Sequence, residues 1–137
     1  MKILVIDDNM ADRDLIITHI KKSKKRKEVI TEESNCLKDA LNKIENNDYD
    51  VILLDLVLPE SDGIETVKIV LSSLKELGKD IPVIVLTGME DYKVGREAWA
   101  LGIKDYLVKD EMQSKDLSRA LNFATYDTSG TRKSVLI

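Results

Sequence analysis

Val51-Ile-Leu-Leu-Asp55-Leu-Val-Leu-Pro59 is the stretch that decides the fold. Its apolar residues are consecutive rather than alternating, and the first run stops at a carboxylate. Such a run reads as a strand of a parallel sheet, buried on both faces. The residue that ends it then lies at the carboxyl edge of the sheet, where open α/β folds collect their ligands. Three more runs behave alike. Ile3-Leu-Val-Ile6 stops at Asp7 and Asp8, Val83-Ile-Val-Leu86 at Thr87, and Tyr106-Leu-Val108 at Lys109. Together the four runs carry three acids, one hydroxyl and one ammonium to the same edge.

Around these runs the pattern alternates strand and helix. Strands are predicted over about 2–7, 28–33, 50–55, 82–87 and 105–109, and helices over about 10–24, 36–46, 64–77, 91–101 and 113–126. Apolar spacing supports the helices: Ala11, Leu15, Ile16 and Ile20 in the first, Leu37, Ala40, Leu41 and Ile44 in the second, Val67, Val70, Leu71, Leu74 and Leu77 in the third. Asn9 is placed to cap the first helix, and Gly78 and Gly102 to end the third and fourth. Pro59 to Gly63 read as a loop. Five βα units in series imply an α/β sandwich, a parallel sheet with right-handed crossovers and helices on both faces.

At 137 residues the chain is one domain, expected to span 1–127, with 128–137 a tail or the start of a linker. No apolar stretch approaches a membrane span. Met1-Lys2-Ile3 leads straight into a strand, so no signal peptide is expected, and the lone Cys36 suits the cytoplasm. A net charge of -4 argues against a nucleic-acid surface as the main role. The basic run Lys21–Lys27 is best read as cations solvating a helix C-terminus.

Three clustered carboxylates repel one another unless a hard cation sits among them. Mg²⁺ takes oxygen ligands and is typically held by one or two carboxylates plus phosphate oxygens. A carboxylate beside such an ion can act as a nucleophile toward a phosphoryl group. Lys109 and Thr87 would then supply a positive charge and a hydroxyl donor to that group's oxygens.

The chain resembles a response-regulator receiver domain of two-component phosphorelays, from Lys2 to about Tyr126. The resemblance is carried by Ile3-Leu-Val-Ile-Asp-Asp-Asn9, Val51 to Pro59, Asp62-Gly63, Val83-Ile-Val-Leu-Thr-Gly88 and Ala100-Leu-Gly-Ile-Lys-Asp-Tyr-Leu-Val-Lys109. It implies a flavodoxin-like doubly wound (βα)5 fold with strand order 2-1-3-4-5. It implies Asp55 as phosphoacceptor, Asp8 and Asp55 as direct Mg²⁺ ligands, Asp7 acting through water, and the Val57 backbone carbonyl as a further ligand. Thr87 and Lys109 would bind the phosphoryl group, and Thr87 and Tyr106 take the two switch positions, Thr87 turning inward on phosphorylation and Tyr106 following. The implied partners are a histidine kinase or phosphotransfer protein and an output protein or attached effector domain, with dimerisation on phosphorylation open to it. The subtype differs from the usual pattern in one place, since Asp110 and not proline follows Lys109. A cis bond before a non-proline residue costs about 3–4 kcal/mol, so a trans peptide is expected.

Two other functions fit the same topology less well. A haloacid-dehalogenase-type phosphatase also uses an aspartyl nucleophile and Mg²⁺, but wants a second acid where Val57 stands. A flavodoxin-like cofactor binder would meet Asp7-Asp8-Asn9 where it needs a phosphate-binding loop. The protein is therefore read as a signalling module and not an enzyme, either free-standing or part of a longer chain. His19 has no neighbouring Cys or His and reads as a surface or half-buried residue. Trp99 either packs on the sheet or forms a docking contact. Met10, Met89 and Met112 read as local gap-fillers.

Overall fold

The computed structural model describes residues 1–22 and 29–125. Most of the basic run Lys21–Lys27, the predicted end of the first helix and the 128–137 tail lie outside the described residues. The elements are β1 (Lys2–Ile6), α1 (Met10–Lys22), β2 (Ile30–Ser34), α2 (Leu37–Asn46), β3 (Val51–Leu54), β4 (Val57–Leu58), β5 (Ser61–Asp62), α3 (Ile64–Glu76), β6 (Val83–Thr87), α4 (Tyr92–Leu101), β7 (Asp105–Val108) and α5 (Ser114–Ala124).

Five strands form one parallel sheet in the order β2-β1-β3-β6-β7. Counting only these five, that is the expected order 2-1-3-4-5. Alternate residues of the central strands feed two cores. Leu4, Ile6, Ile52, Leu54, Val83 and Val85 pack with α2, α3 and α4 through Ala40, Ile44, Val67, Val70 and Ala98. Ile3, Val5, Val51, Leu53, Ile84 and Leu86 pack with α1 and α5 through Ile16, Ile20, Leu117 and Leu121. The period-two alternation of a strand divides each apolar run between the two faces, which is why both faces need helices.

Local signals act where expected at several helix ends. Asn9 accepts from the Asp12 amide at 2.9 Å and starts α1. Gly102 closes α4 at φ 112, a left-handed geometry that glycine adopts without strain.

Three readings need correction. Ala11 and Leu15 are exposed, so only Ile16 and Ile20 are buried from the face assigned to α1. Met10 is also exposed and fills no gap. The Pro59–Gly63 loop is spanned by a small antiparallel hairpin, with β4 pairing β5 through Val57–Asp62 and Leu58–Ser61. The buried Thr66 hydroxyl holds that hairpin, donating to the Leu56 carbonyl at 2.7 Å and contacting the Ser61 hydroxyl at 2.6 Å. No helix among the described residues is long and apolar enough to cross a membrane.

Candidate functional site

The sheet register brings the chemistry to one edge. Ile6, Leu54 and Val85 lie side by side, and Thr87 sits beside Val108. Pairing runs one residue further at several places: the amides of Asp7, Asp55 and Lys109 donate to the carbonyls of Ser34, Ile6 and Thr87 at 3.0, 2.9 and 2.9 Å. Asp7, Asp55 and Lys109 are therefore fixed by the ladder although each stands just beyond a strand.

The Asp55 carboxylate is buried and held from two sides. The Thr87 hydroxyl donates to its Oδ1 at 2.7 Å, and the Lys109 ammonium reaches its Oδ2 at 3.0 Å. The Val57 amide adds a long contact to Oδ1 at 3.4 Å. Lys109 also stands 2.6 Å from Asp7 Oδ2 and 2.9 Å from Asp12 Oδ2. Asp7 Oδ1 accepts from the Asn9 amide at 2.9 Å.

Burial draws the Lys109 ammonium down, but the carboxylates of Asp7, Asp12 and Asp55 outweigh it, so its pKa stands above the ordinary value. Lys109 is a fixed cation. Burial likewise pushes the Asp7 carboxyl up, and Lys109 and the Asn9 amide draw it back only part of the way.

Asp7, Asp8 and Asp55 each offer an oxygen, and these atoms lie within 4.8 Å of one another. Asp8 is exposed while the other two are buried, so the cluster opens to solvent on one side. An all-oxygen, all-anionic donor set open to water suits a hard divalent cation. Above Asp55 lies a cleft of about 500 Å³, bordered by Asp12, Val57, Thr87, Met89, Lys109 and Asp110. The model of the response regulator receiver domain family matches residues 3–122. The chain belongs to that family.

Relatives agree with it. A protein-glutamate methylesterase/protein-glutamine glutaminase of Clostridium acetobutylicum is 37% identical over 113 residues, 81% of this chain and 31% of its own length. The two-component response regulator PhoP of Pseudomonas aeruginosa is 26% identical over 99% of this chain and 56% of its own. This receiver thus spans well under two thirds of these curated relatives. Among solved structures, the Francisella response regulator 1452 receiver domain is 30% identical, with a TM-score of 0.73 over 90% of this chain and 94% of that one.

Within the receiver, the residues picked from the sequence do converge. Asp7, Asp55, Thr87 and Lys109 are in direct contact, or share Lys109 as a partner, and Asp8 joins through the acidic cluster. Tyr106 stands apart on β7. Its hydroxyl donates to the Met89 carbonyl at 2.6 Å, and burial, with the negative charge of Asp91, raises its pKa. The inward place expected of Thr87 after phosphorylation is already taken here, with the Asp55 carboxylate as acceptor. All described peptide bonds are trans, including Lys109–Asp110.

Three residues escaped the sequence reading. Asp12, from the first turn of α1, is the third carboxylate on Lys109, a contact that no sequence spacing signals. Arg13 donates to the Asp7 carbonyl at 2.8 Å and pairs with Glu33. Glu60, at the hairpin tip, accepts from the amides of Leu37 and Lys38, both at 2.9 Å, and so caps α2 from across the fold. Nothing in the sequence joins Glu60 to α2. His19 is half-buried and contacts the Ser114 hydroxyl at 2.6 Å, which ties α1 to α5. Trp99 is largely exposed and lines a second cleft with Tyr92 and Tyr106.

Proposed function

We propose that this receiver takes a phosphoryl group from the histidine of a kinase or phosphotransfer protein onto Asp55. One observation carries the reading: the two oxygens of a buried carboxylate are separately held by a hydroxyl donor and a fixed ammonium. In the transfer an Asp55 oxygen attacks phosphorus. The P–N bond to the donor imidazole breaks, and the electron pair returns to the nitrogen, which takes up a proton. Lys109 and Thr87 border Asp55, and each would turn from a carboxylate oxygen to an oxygen of the arriving group as charge builds there.

Mg²⁺ is the cation we assign to the acidic cluster, with Asp8 and Asp55 as direct ligands, Asp7 through water, and the Val57 carbonyl. When bound, it would neutralise charge on the phosphoryl oxygens. The protein is a cytoplasmic signalling module whose product is its own altered surface. Thr87 and Tyr106 form the switch between site and surface, acting on an output protein or an attached effector domain. Since Thr87 is already inward, phosphorylation acts by exchanging its acceptor from carboxylate to phosphoryl oxygen.

The test is mass measurement after incubation with acetyl phosphate and Mg²⁺. Wild type should gain one acid-labile phosphoryl group, and Asp55→Asn none. Labelling of Asp55→Asn at the wild-type rate would refute the assignment. Thr87→Ala should still be labelled, while the change in Trp99 emission produced by a phosphate mimic is lost.

A further inference from the structure

Lys109 is shared three ways, and one of its partners has no part in the proposed chemistry. Asp7 and Asp55 are buried, but Asp12 comes from the first turn of α1 and is partly open to solvent. The ammonium donates to Asp12 at 2.9 Å and to Asp55 at 3.0 Å, and its charge also lies 2.6 Å from Asp7 Oδ2, an approach that is an ion pair and not a directed hydrogen bond. Asp12 also borders the cleft above Asp55, so its charge faces the route by which a phosphodonor enters.

We propose that Asp12 is a positioning residue that competes with the incoming phosphoryl group for Lys109 and thereby sets how readily the site is loaded. The inference rests on the reading of Asp55 as acceptor. The Asp12 and Asp55 oxygens both touch one nitrogen, so they are no further apart than those two contacts laid end to end. A phosphoryl group on Asp55 places its negative oxygens between them. To ion-pair with that group, Lys109 must give up a carboxylate. Asp12, the most exposed of the three, costs least to release because water can solvate it. Until released it also repels an anionic donor at the mouth of the cleft.

Neutralising Asp12 frees one hydrogen of Lys109 and removes that repulsion. Lys109 itself stays in place, because the buried Asp7 and Asp55 still hold it. Asp12→Asn should therefore label faster with a doubly charged donor. The gain expected is about three- to tenfold, the effect of one nearby unit charge in a partly screened site. It should be smaller with a donor of lower charge, and it should shrink as salt rises.

The experiment compares wild type, Asp12→Asn, Asp12→Glu and Asp55→Asn, using acetyl phosphate and phosphoramidate with Mg²⁺ at low and high ionic strength. Each rate constant and its dependence on donor concentration are read separately. The proposal expects faster loading of Asp12→Asn with acetyl phosphate, a weaker salt dependence, and near wild-type behaviour of Asp12→Glu. A merely structural contact would move neither the salt dependence nor the difference between donors. Unchanged or slower loading of Asp12→Asn, or the same gain with both donors at every salt concentration, overturns it. Asp55→Asn separates the two claims: if it labels as wild type does, the acceptor assignment fails first and the proposal with it.

Discussion

Lys109→Met removes the only cation touching three carboxylates among the described residues, and its cost can be worked from the geometry. Exposed ion pairs contribute about 0–1 kcal/mol, whereas removing one partner of a buried pair costs about 3–5 kcal/mol. The side chain of Lys109 is 16% exposed, that of Asp7 1% and that of Asp55 8%, which places these pairs near the buried limit. Asp12, at 42%, is solvated and adds little. Discounting for that opening to solvent leaves an expected loss of about 2–4 kcal/mol without divalent metal. Methionine keeps most of the lysine stem's volume, so the loss reports charge rather than a cavity. The assay is urea unfolding followed by circular dichroism, first with chelator and then with saturating Mg²⁺. With metal, the deficit should narrow, because the cluster without its ammonium is more negative, binds the cation more tightly than wild type does, and so gains more by mass action. A chelated loss below about 1 kcal/mol would show that the pairs behave as surface pairs. A deficit that does not narrow with metal would show that the acids do not gather the ion more tightly once the ammonium is gone.

Other expectations follow from single contacts. Thr66→Val should cost about 1–3 kcal/mol in urea unfolding, since it leaves the Leu56 carbonyl short of its buried hydroxyl donor. The backbone amides of Lys38 and then Leu37 hold the Glu60 carboxyl below the ordinary carboxylate range. Its contribution is therefore complete above the ordinary glutamate pKa and is lost as pH falls through the depressed one. Glu60→Gln should lower the melting temperature at neutral pH and flatten the acid limb of the stability curve. Val57 and Met89 border the cleft above Asp55, and neither has a side-chain group to orient a water molecule. Slow self-dephosphorylation is expected, to be followed by loss of label over time. Val57→Asn and Met89→Glu are the variants to compare, and rapid decay in wild type with no gain in either would refute the shielding.

The fold was legible because its cause is local and repeated. Apolar runs such as Val51–Leu54 and Val83–Leu86 can be satisfied only by burial on both faces, and helical spacing between them supplies the cover. The same runs named Asp7, Asp8, Asp55, Thr87 and Lys109, because a strand that ends at a polar residue leaves that residue at the sheet edge. Where the reading erred, the cause lay in distance along the chain. Leu15 looks apolar in the α1 pattern, yet α1 packs on the sheet through Ile16, Ile20 and, in part, Ile17, which leaves Leu15 exposed. Glu60 caps a helix that precedes it by 22 or 23 residues, a contact without any periodic trace. Asp12 reads as an ordinary first-turn acid until β7 delivers Lys109 to it across 97 residues. Periodicity in the chain thus determined the layers and the edge where chemistry collects. Only tertiary structure decided which charges share that edge, because an ion pair depends on where side-chain ends meet and not on the spacing of the residues that carry them.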